Sequence, residues 1–254
     1  MPRPIQSIQR AAQVMRLLAG RTRRLSLVEM SAQLGLPKGT VFGILRTLQQ
    51  VGFVEKDADS GKYQLGAALL HLGSSYLDGN ELRTRALNWA DSLAARSNEA
   101  VRIGTLHDAR VLVVHHVFRP DDSYQVLQVG SLLPLHATAM GKTLLAANPY
   151  LIAQLGPDDL TRFTPSTITD PKRLSHAATQ ARRLGWAADI GELVDGEGSV
   201  AAPILDRREQ TVGAISISGP VERLCESQTP RSDLVSYVRE SARAISRDLG
   251  AIPW

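Results

Sequence analysis

The chain has 254 residues, of which 43% are hydrophobic and 21% are charged, and its formal net charge is +4. This composition excludes a disordered chain, and the length favours two domains. The sequence has no apolar run as long as a membrane span and no apolar signal-peptide core, and its single cysteine, Cys225, excludes an internal disulfide. These features predict a cytoplasmic protein with no membrane partner.

The positive charge is concentrated at the N-terminal end. Residues 1–62 contain ten Lys/Arg and four Asp/Glu, a net charge of +6, whereas residues 63–254 contain 19 and 21, a net charge of −2. Such asymmetry indicates that the first part of the chain binds a polyanion. Charge alone leaves open the alternative of a solvated basic face.

Two short helices are predicted at the start of this basic region. Apolar spacing predicts the first over residues 7–19, with Ser7 as its N-cap. Ser26 and Glu29 have the spacing of a capping box, which starts a second helix over Leu27–Leu34. The following "GLP" segment ends that helix and opens another.

A third helix and a hairpin complete the N-terminal region. The buried stripe of this helix is predicted to consist of Val41, Ile44, Leu45, Leu48 and Val51. The segments at residues 53–56 and 62–65 flank "DADSG" and predict a hairpin. Three helices and a hairpin are the outline of a winged helix-turn-helix, whose third helix enters the major groove of DNA.

The predicted DNA contacts are the residues of the third helix outside its stripe and the lysines of the wing. They are Lys38, Thr40, Phe42, Gly43, Arg46, Lys56 and Lys62. The basic side chains among them would bind phosphate or guanine. A protein-interaction module with the same fold is the alternative. After the wing, residues 66–77 predict a helix that is buried in a dimer or between domains, and a dimer would bind two half-sites of a pseudo-palindromic operator.

The C-terminal part combines strands and helices. Five strands are predicted, at residues 100–106, 111–118, 124–130, 200–205 and 211–218. Three helices are predicted, at residues 137–147, 171–184 and 232–249. Strands, then helices, then strands that close the sheet predict an α+β fold.

Four segments, in this order, resemble those of IclR-type bacterial transcription regulators. They are "QSIQRAAQVMRLLA", "LSLVEMSAQLGLPKGTVFGILRTLQQVGFV", "PLHATAMGKTLLA" and "VAAPILDRREQTVGAISISGP". The resemblance implies a winged helix-turn-helix over residues 1–65, a linker helix over 66–85, and an effector domain with a GAF-like antiparallel sheet and flanking helices over 86–254. It also implies a homodimer or a dimer of dimers. Double-stranded operator DNA and a small organic effector, often a carboxylic acid, are the implied ligands.

The residues themselves favour an effector site in the C-terminal part. Strand alternation places Ser216 and Ser218 on one face, and Ser199 lies on a strand predicted to be adjacent. Residues 136–140 form a helix start, where free N–H groups favour an anion. The alternative is that the serines simply fill a strand surface.

The resemblance implies specific effector contacts. They are Ala139, Met140, Ser199, Ser216 and Ser218. Relatives commonly have Cys at position 199, and they often have Ser at 39 and a polar or basic residue at 43, where this chain has glycine. These departures leave the identity of the effector and the DNA sequence open.

An enzyme acting on a small organic acid, with a vestigial helix-turn-helix, is the competing interpretation. His115 and His116 are adjacent on a strand and point to opposite faces. The other candidate metal ligands are His107, His136, Asp189, Glu192, Asp195 and Glu197. No hydrolase elbow, P-loop or zinc motif is present in the sequence, so no catalytic residue, metal or cofactor is expected. The acidic residues are expected to form a solvated loop, and Lys142 to have a solvated or capping role.

Overall fold

The structure is a computed structural model that describes residues 4–20, 24–121 and 123–251. The backbone divides into two compact units, Met1–Gly79 and Asn80–Trp254. Each unit has a hydrophobic core of its own. The division lies within residues 66–85, the segment for which a linker helix is predicted.

The described part of the N-terminal unit contains four helices and a hairpin. In chain order they are α1 (Gln6–Leu18), α2 (Leu27–Leu34), α3 (Lys38–Gln50), β1 (Val54–Lys56), β2 (Tyr63–Leu65) and α4 (Ala68–Asp78). The two strands pair antiparallel. Helices α1–α3 and the strands share one core, formed by Val14, Leu18, Leu25, Met30, Val41, Leu45, Leu48, Val54 and Tyr63. This arrangement confirms the predicted winged helix-turn-helix.

The helix-turn-helix connection follows the signals in the sequence. The Ser26 hydroxyl accepts a hydrogen bond from the Glu29 N–H at 3.2 Å, and the Glu29 carboxylate accepts one from the Ser26 N–H at 2.7 Å. Gly35 ends α2 with φ 63°, a left-handed conformation that costs glycine little. The capping box and the glycine stop are therefore confirmed.

Two details of the first and third helices were predicted wrongly. Helix α1 begins at Gln6, and the extended residue Ile5 is its N-cap, so Ser7 lies inside the first turn and does not cap the helix. Val51 follows the last residue of α3 and is 52% exposed, so it is not part of the buried stripe. The stripe ends because the helix ends at Gln50.

Helix α4 has an apolar surface that its own chain does not cover. None of its described residues is buried. Leu70, Leu72 and Tyr76 are 75%, 52% and 55% exposed, respectively. The predicted apolar helix is present, and three of its large apolar side chains are exposed, while Leu69 and Leu77 are half-buried.

The C-terminal unit is built on a six-stranded antiparallel sheet in the order β5-β4-β3-β8-β7-β6. The strands are β3 (Ala100–His107), β4 (Arg110–Val117), β5 (Leu132–Pro134), β6 (Ala187–Ile190), β7 (Glu197–Leu205) and β8 (Thr211–Pro220). The hairpin strands β9 (Cys225–Glu226) and β10 (Thr229–Pro230) pair separately. The helices are α5 (Glu81–Ser97), α6 (Ala139–Ala147), α7 (Tyr150–Gln154), α8 (Pro171–Leu184), α9 (Val221–Leu224) and α10 (Ser232–Asp248), with a 3-10 turn at Pro157–Leu160. None of the helices in the described ranges is long and apolar enough to cross a membrane.

Helices cover both faces of this sheet. On one face, Ala201 and Ala214 belong to the core that contains Met140 of α6 and Leu174 of α8. On the other face, a Cβ at Gly213 would meet Leu82 of α5. Helix α10 packs along β7 and α5. The architecture confirms the predicted α+β class.

One predicted strand is wrong, and the two short strands at the edges of the six-stranded sheet were not predicted. Residues 124–130 alternate like a strand but form none, and Tyr124 is 93% exposed. The edge position beside β4 belongs instead to β5, whose Leu132 pairs with Leu112. Strand β6 occupies the other edge, where Ala187 pairs with Ala201. Alternation alone does not show which of two neighbouring segments hydrogen-bonds to an edge.

Candidate functional site: a recognition helix and a buried polar cavity

The first candidate site is the solvent-facing side of α3. Val41, Leu45 and Leu48 are buried, and the predicted contacts lie around the rest of the helix. Lys38, Phe42, Gly43 and Arg46 are exposed, and Thr40 is half-buried. Phe42 is apolar yet 51% exposed, so its ring is available to a ligand. A face with two basic groups and one aromatic ring suits phosphate contacts beside apolar contact with a base.

Two glycines, Gly39 and Gly43, leave part of the same face of α3 without side chains. A Cβ built on Gly39 or Gly43 would meet no atom of the described residues within 4 Å. Packing inside the protein therefore does not require either glycine. Gly43, which lies in the interior of the helix, costs about 1 kcal/mol of helix stability relative to alanine. The missing side chains leave room for close approach of another molecule's backbone.

The two wing lysines differ in their surroundings. Lys56 is exposed, and its Nζ lies 5.6 Å from the centre of the Tyr63 ring. Lys62 is half-buried, and its Nζ lies 3.7 Å from Oε1 of Glu29. Hydrogen bonds from Ser26, with a further contribution from Lys62, lower the pKa of Glu29. Glu29 thus offsets part of the charge of Lys62, whereas Lys56 forms no ion pair with a described residue.

The second candidate site is a cavity in the C-terminal unit, on the sheet face that packs against α6. Cross-strand pairing places Ser218 opposite Ser199, and Ser199 opposite Asp189. Two residues further along the sheet, Ser216 lies opposite Arg102. Directly paired residues share a face, so these side chains lie together. The cavity is lined by Arg102, Leu133, Thr138, Met140, Asp189, Leu193, Val194, Glu197, Gly198, Ser199, Ser216 and Ser218.

The cavity is small in this conformation. Its volume is about 30 Å³, which is room for about two water molecules. A metabolite with several carbon atoms is larger than this. Ligand entry therefore requires the lining to move, and the exposed residue Val194 marks the side that borders solvent.

The N-terminus of α6 is less available to an anion than the sequence predicts. The Thr138 hydroxyl caps the helix by accepting from the Gly141 N–H at 3.0 Å. The Ala139 N–H donates to the Ser199 hydroxyl at 3.4 Å, and that hydroxyl donates to Asp189 at 3.3 Å. Two N–H groups of the first turn thus already donate hydrogen bonds to side chains. An anion at this helix start would have to displace Ser199.

The structure brings most of the predicted effector contacts together. Met140, Ser199, Ser216 and Ser218 line the cavity, while Ala139 contributes its N–H to Ser199. Effector binding by these residues stays a prediction. Arg102 was not predicted as part of the site, although a charged residue in the apolar run "AVRIG" of a buried strand is a signal for it.

Two acidic residues beside the cavity are buried, so the expected solvated loop is wrong for them. Asp189 is 6% exposed and Glu192 is 8% exposed, whereas Asp195 is exposed. Lys142 is 4% exposed; its Nζ pairs with Glu192 and donates to the Ala188 carbonyl at 2.8 Å. A solvated role for Lys142 is therefore also wrong. Buried charges of this kind require partners, and the ion pair supplies them.

Burial raises the pKa of Asp189 to about 6, against the hydrogen bond from the Glu192 N–H and the charge of Lys142, which lower it. On β4, towards the other edge of the sheet, burial lowers the pKa of His116 to about 4, and the charge of Arg102 on β3 adds to this effect. The described residues contain no group of three His, Cys, Asp or Glu side chains that could hold a metal ion.

Two family models match the chain. The model "Bacterial transcriptional regulator IclR C-terminal" matches residues 74–247, and the model "IclR helix-turn-helix domain" matches residues 7–58. Together they cover the cavity and all of the N-terminal candidate site except Lys62.

Whole-chain relatives and solved structures agree with these matches. The chain is 55% identical to the "Glycerol operon regulatory protein" of Streptomyces coelicolor, over 99% of both chains. It resembles the crystal structure of an IclR transcriptional regulator from Alicyclobacillus acidocaldarius with a TM-score of 0.81, at 27% identity over 96% of this chain and 99% of that one. An IclR homologue from Microbacterium hydrocarbonoxydans complexed with 4-hydroxybenzoate gives a TM-score of 0.79, at 25% identity over 96% and 99% of the two chains.

Proposed function

The chain belongs to the IclR family of transcriptional regulators, and from this premise we propose that it regulates an operon for the use of glycerol. It is a DNA-binding regulator with a C-terminal effector-binding domain, and nothing in its relatives supports the enzyme interpretation. The observation that carries the proposal is the 55% identity, over 99% of both chains, to a glycerol operon regulatory protein.

The operator would be read by the exposed face of α3 together with the wing, in a cytoplasmic protein whose DNA-binding part spans residues 1–65. The proposed contacts are Lys38, Thr40, Phe42, Gly43, Arg46, Lys56 and Lys62. The net charge of +6 over residues 1–62 supports this proposal. So does the exposure of Lys38 and Arg46 on one helix.

A homodimer, alone or paired with a second dimer, is the proposed assembly. Helix α4 lies in the proposed linker, residues 66–85, and exposes Leu70, Leu72 and Tyr76. Apolar surface of this kind is usually covered in the functional assembly. Two copies would place their α3 helices in successive major grooves, about one DNA turn apart.

The effector would bind in the cavity of the proposed effector domain, residues 86–254. The hydroxyls of Ser199, Ser216 and Ser218 and the carboxyl of Asp189 can exchange hydrogen bonds with a ligand that carries several hydroxyls. Ala139 and Met140 complete the proposed contacts. A related structure binds 4-hydroxybenzoate, a small carboxylate, which supports an organic effector of similar size. By linkage, the effector changes operator affinity only as far as its own affinity differs between the two states of the protein.

A mobility-shift assay tests the proposal. The probe is DNA upstream of the chain's own gene and of glycerol-utilisation genes of the same organism, with excess unrelated DNA as competitor. We expect a shift that survives the competitor and weakens steeply with salt, and that changes on addition of glycerol or its derivatives. Binding that the competitor abolishes would contradict operator recognition. Sequence-specific binding that no glycerol derivative alters would contradict the glycerol assignment alone.

A further inference from the structure

A groove with an arginine-rich lining lies on the sheet face opposite the cavity. Its volume is about 260 Å³. The lining includes Arg239, Arg243 and Arg247 of α10 and Ala202 of β7. Strand alternation directs Ala202 and Ser199 to opposite faces of β7, and the groove and the cavity share no lining residue among those that the structure describes. The groove is therefore a separate site.

The three arginines form one row. They stand four residues apart on α10, so they lie on the same side of the helix, about 6 Å apart along its axis. Like charges at this spacing repel each other and destabilise a helix. Arg239 is half-buried and Arg247 is exposed, and neither forms a hydrogen bond or an ion pair with any residue in the described ranges. The row thus has a cost for the fold and offers unused donors to a ligand.

The acidic residues beside this row have partners on α5. The Glu240 carboxylate, which also lines the groove, accepts from Nη2 of Arg96 at 2.8 Å. The Arg96 guanidinium lies over the Tyr237 ring, 4.3 Å from its centre, which helps to hold this pair in place. Asp248, at the last residue of α10, accepts from the Trp89 indole N–H at 2.7 Å. Both carboxylates therefore contact α5, and the row of arginines keeps a net positive charge.

The strand edge beside the groove is closed to an added peptide strand. Strand β6 pairs with residues 198–201 of β7, so residues 202–205 have no described strand on that side. Pro203 has no N–H to offer there, and the Leu205 N–H already donates to Ser246 Oγ at 2.9 Å. An added strand would find few donors on this edge. The arginine side chains are therefore the donors available to a ligand.

We propose that the groove is a second ligand site, independent of the cavity, and that it binds the linked phosphate groups of a small diphosphate compound. Guanidinium groups bind phosphate oxygens in bidentate pairs and stay charged at physiological pH. A phosphate ester carries about −1.5 to −2 charges at pH 7, so one group neutralises two arginines at most, and two linked groups match three.

The size of the groove also suits a compact ligand. Its volume of about 260 Å³ lies just below the range of about 300–1,000 Å³ that is usual for small-molecule sites. The phosphates of a DNA strand have the same chemistry as those of a free diphosphate. The experiment therefore has to separate these two sources.

Calorimetric titration of the full chain at constant ionic strength tests the site. The probes are inorganic pyrophosphate and ADP, each titrated into the wild-type chain, Arg239→Gln, Arg247→Gln and the double variant of these two. The matched control is Arg173→Gln/Arg183→Gln, which removes two exposed arginines of α8 that do not line the groove. A second control, Ser216→Val, alters the cavity on the opposite face. Circular dichroism shows that each variant is folded.

We expect at least one probe to bind the wild-type chain, and each single variant to weaken that binding by about 10-fold or more, because a hydrogen bond to a charged group is worth about this factor. Arg239→Gln/Arg247→Gln should show no measurable binding. Both controls should bind the probe as the wild-type chain does. Operator affinity without added diphosphate should be the same in Arg239→Gln/Arg247→Gln as in the wild-type chain, because the site serves a free ligand.

Absence of binding by both probes would overturn the site. An equal loss in Arg173→Gln/Arg183→Gln would also overturn it, by showing that the anion responds to overall charge, and a loss in Ser216→Val would place the anion in the cavity instead. Weaker operator binding by Arg239→Gln/Arg247→Gln, with a shallower salt dependence, would assign these arginines to DNA phosphates and overturn the free ligand. The glycerol proposal rests on other residues and survives each of these outcomes.

Discussion

Replacement of Asp189 by Asn tests whether burial beside the cavity makes ionisation of the Asp189 carboxyl unfavourable. The Asp189 side chain is 6% exposed, and its Oδ1 accepts from the Glu192 N–H at 2.8 Å. Asparagine has the same shape, keeps an acceptor for that N–H, and can donate to Ser199. The variant therefore removes the ionisation of this group and little else.

The magnitude follows from the pKa, which burial raises from 3.8 to about 6. Below about pH 3 the group is largely protonated in both the folded and the unfolded chain, and little ionisation cost arises. As the pH rises from about 3 to about 7, the unfolded chain releases its proton first, so the free energy of unfolding falls. Above about pH 7 the loss is constant. The full loss is about 3 kcal/mol, of which about 2 kcal/mol develops between pH 4.5 and 7.5.

Urea unfolding followed by tryptophan fluorescence measures this effect. All three tryptophans lie after residue 79, so the signal reports on the C-terminal unit. The quantity of interest is the unfolding free energy of Asp189→Asn minus that of the wild-type chain. It should increase by about 2 kcal/mol from pH 4.5 to 7.5, because only the wild-type chain ionises the buried carboxyl at the higher pH.

Asp195→Asn is the matched control, since Asp195 lies in the loop that follows the strand of Asp189 and is exposed. Its difference from the wild-type chain should not vary with pH. A flat profile for Asp189→Asn would show that Asp189 is not held in a desolvated site, and a difference that decreases with pH would refute the assigned direction of the pKa change.

Two further substitutions test the N-terminal site and the buried ion pair. Arg46→Ala should weaken operator binding by about 1–3 kcal/mol and leave effector titrations unchanged, whereas equal operator affinity would remove Arg46 from the interface. Lys142→Met should lower the unfolding free energy of the C-terminal unit by about 3–5 kcal/mol, because it leaves Glu192 buried without its partner. The double variant Lys142→Met/Glu192→Met should recover most of that loss, and a double variant as unstable as the single one would contradict this explanation.

Local signals in the sequence were sufficient for elements with strong caps. Helix α8 starts after Asp170, which accepts from the Lys172 N–H, and ends at Gly185 with φ 74°, so its bounds were predicted correctly. Helix α5 was not predicted, because its buried face consists largely of small residues such as Ala86 and Ala90, which give weak apolar contrast.

Local sequence signals predicted only part of the candidate cavity. Serines at alternating positions of β8 could be identified, because alternation is a local property. Strand pairing brings Arg102 next to Ser216, which is more than a hundred residues away in the chain. It also brings Asp189 next to Ser199, about ten residues away. Both contacts depend on which strands are neighbours in the sheet. Burial of Glu192 depends on Lys142 of a different element. Spacing in one sequence does not report such partners.

The central claim is that a ligand in the C-terminal cavity controls DNA binding by the N-terminal unit, and operator affinity with and without effector tests it most directly. Fluorescence anisotropy would be measured for the wild-type chain and Ser216→Val, using the glycerol derivative that binds most tightly. The wild-type operator Kd should change by about 5- to 150-fold on saturation. Ser216→Val should have the wild-type Kd without effector and show little change with it. An unchanged wild-type Kd, or a full response in Ser216→Val, would contradict the claim.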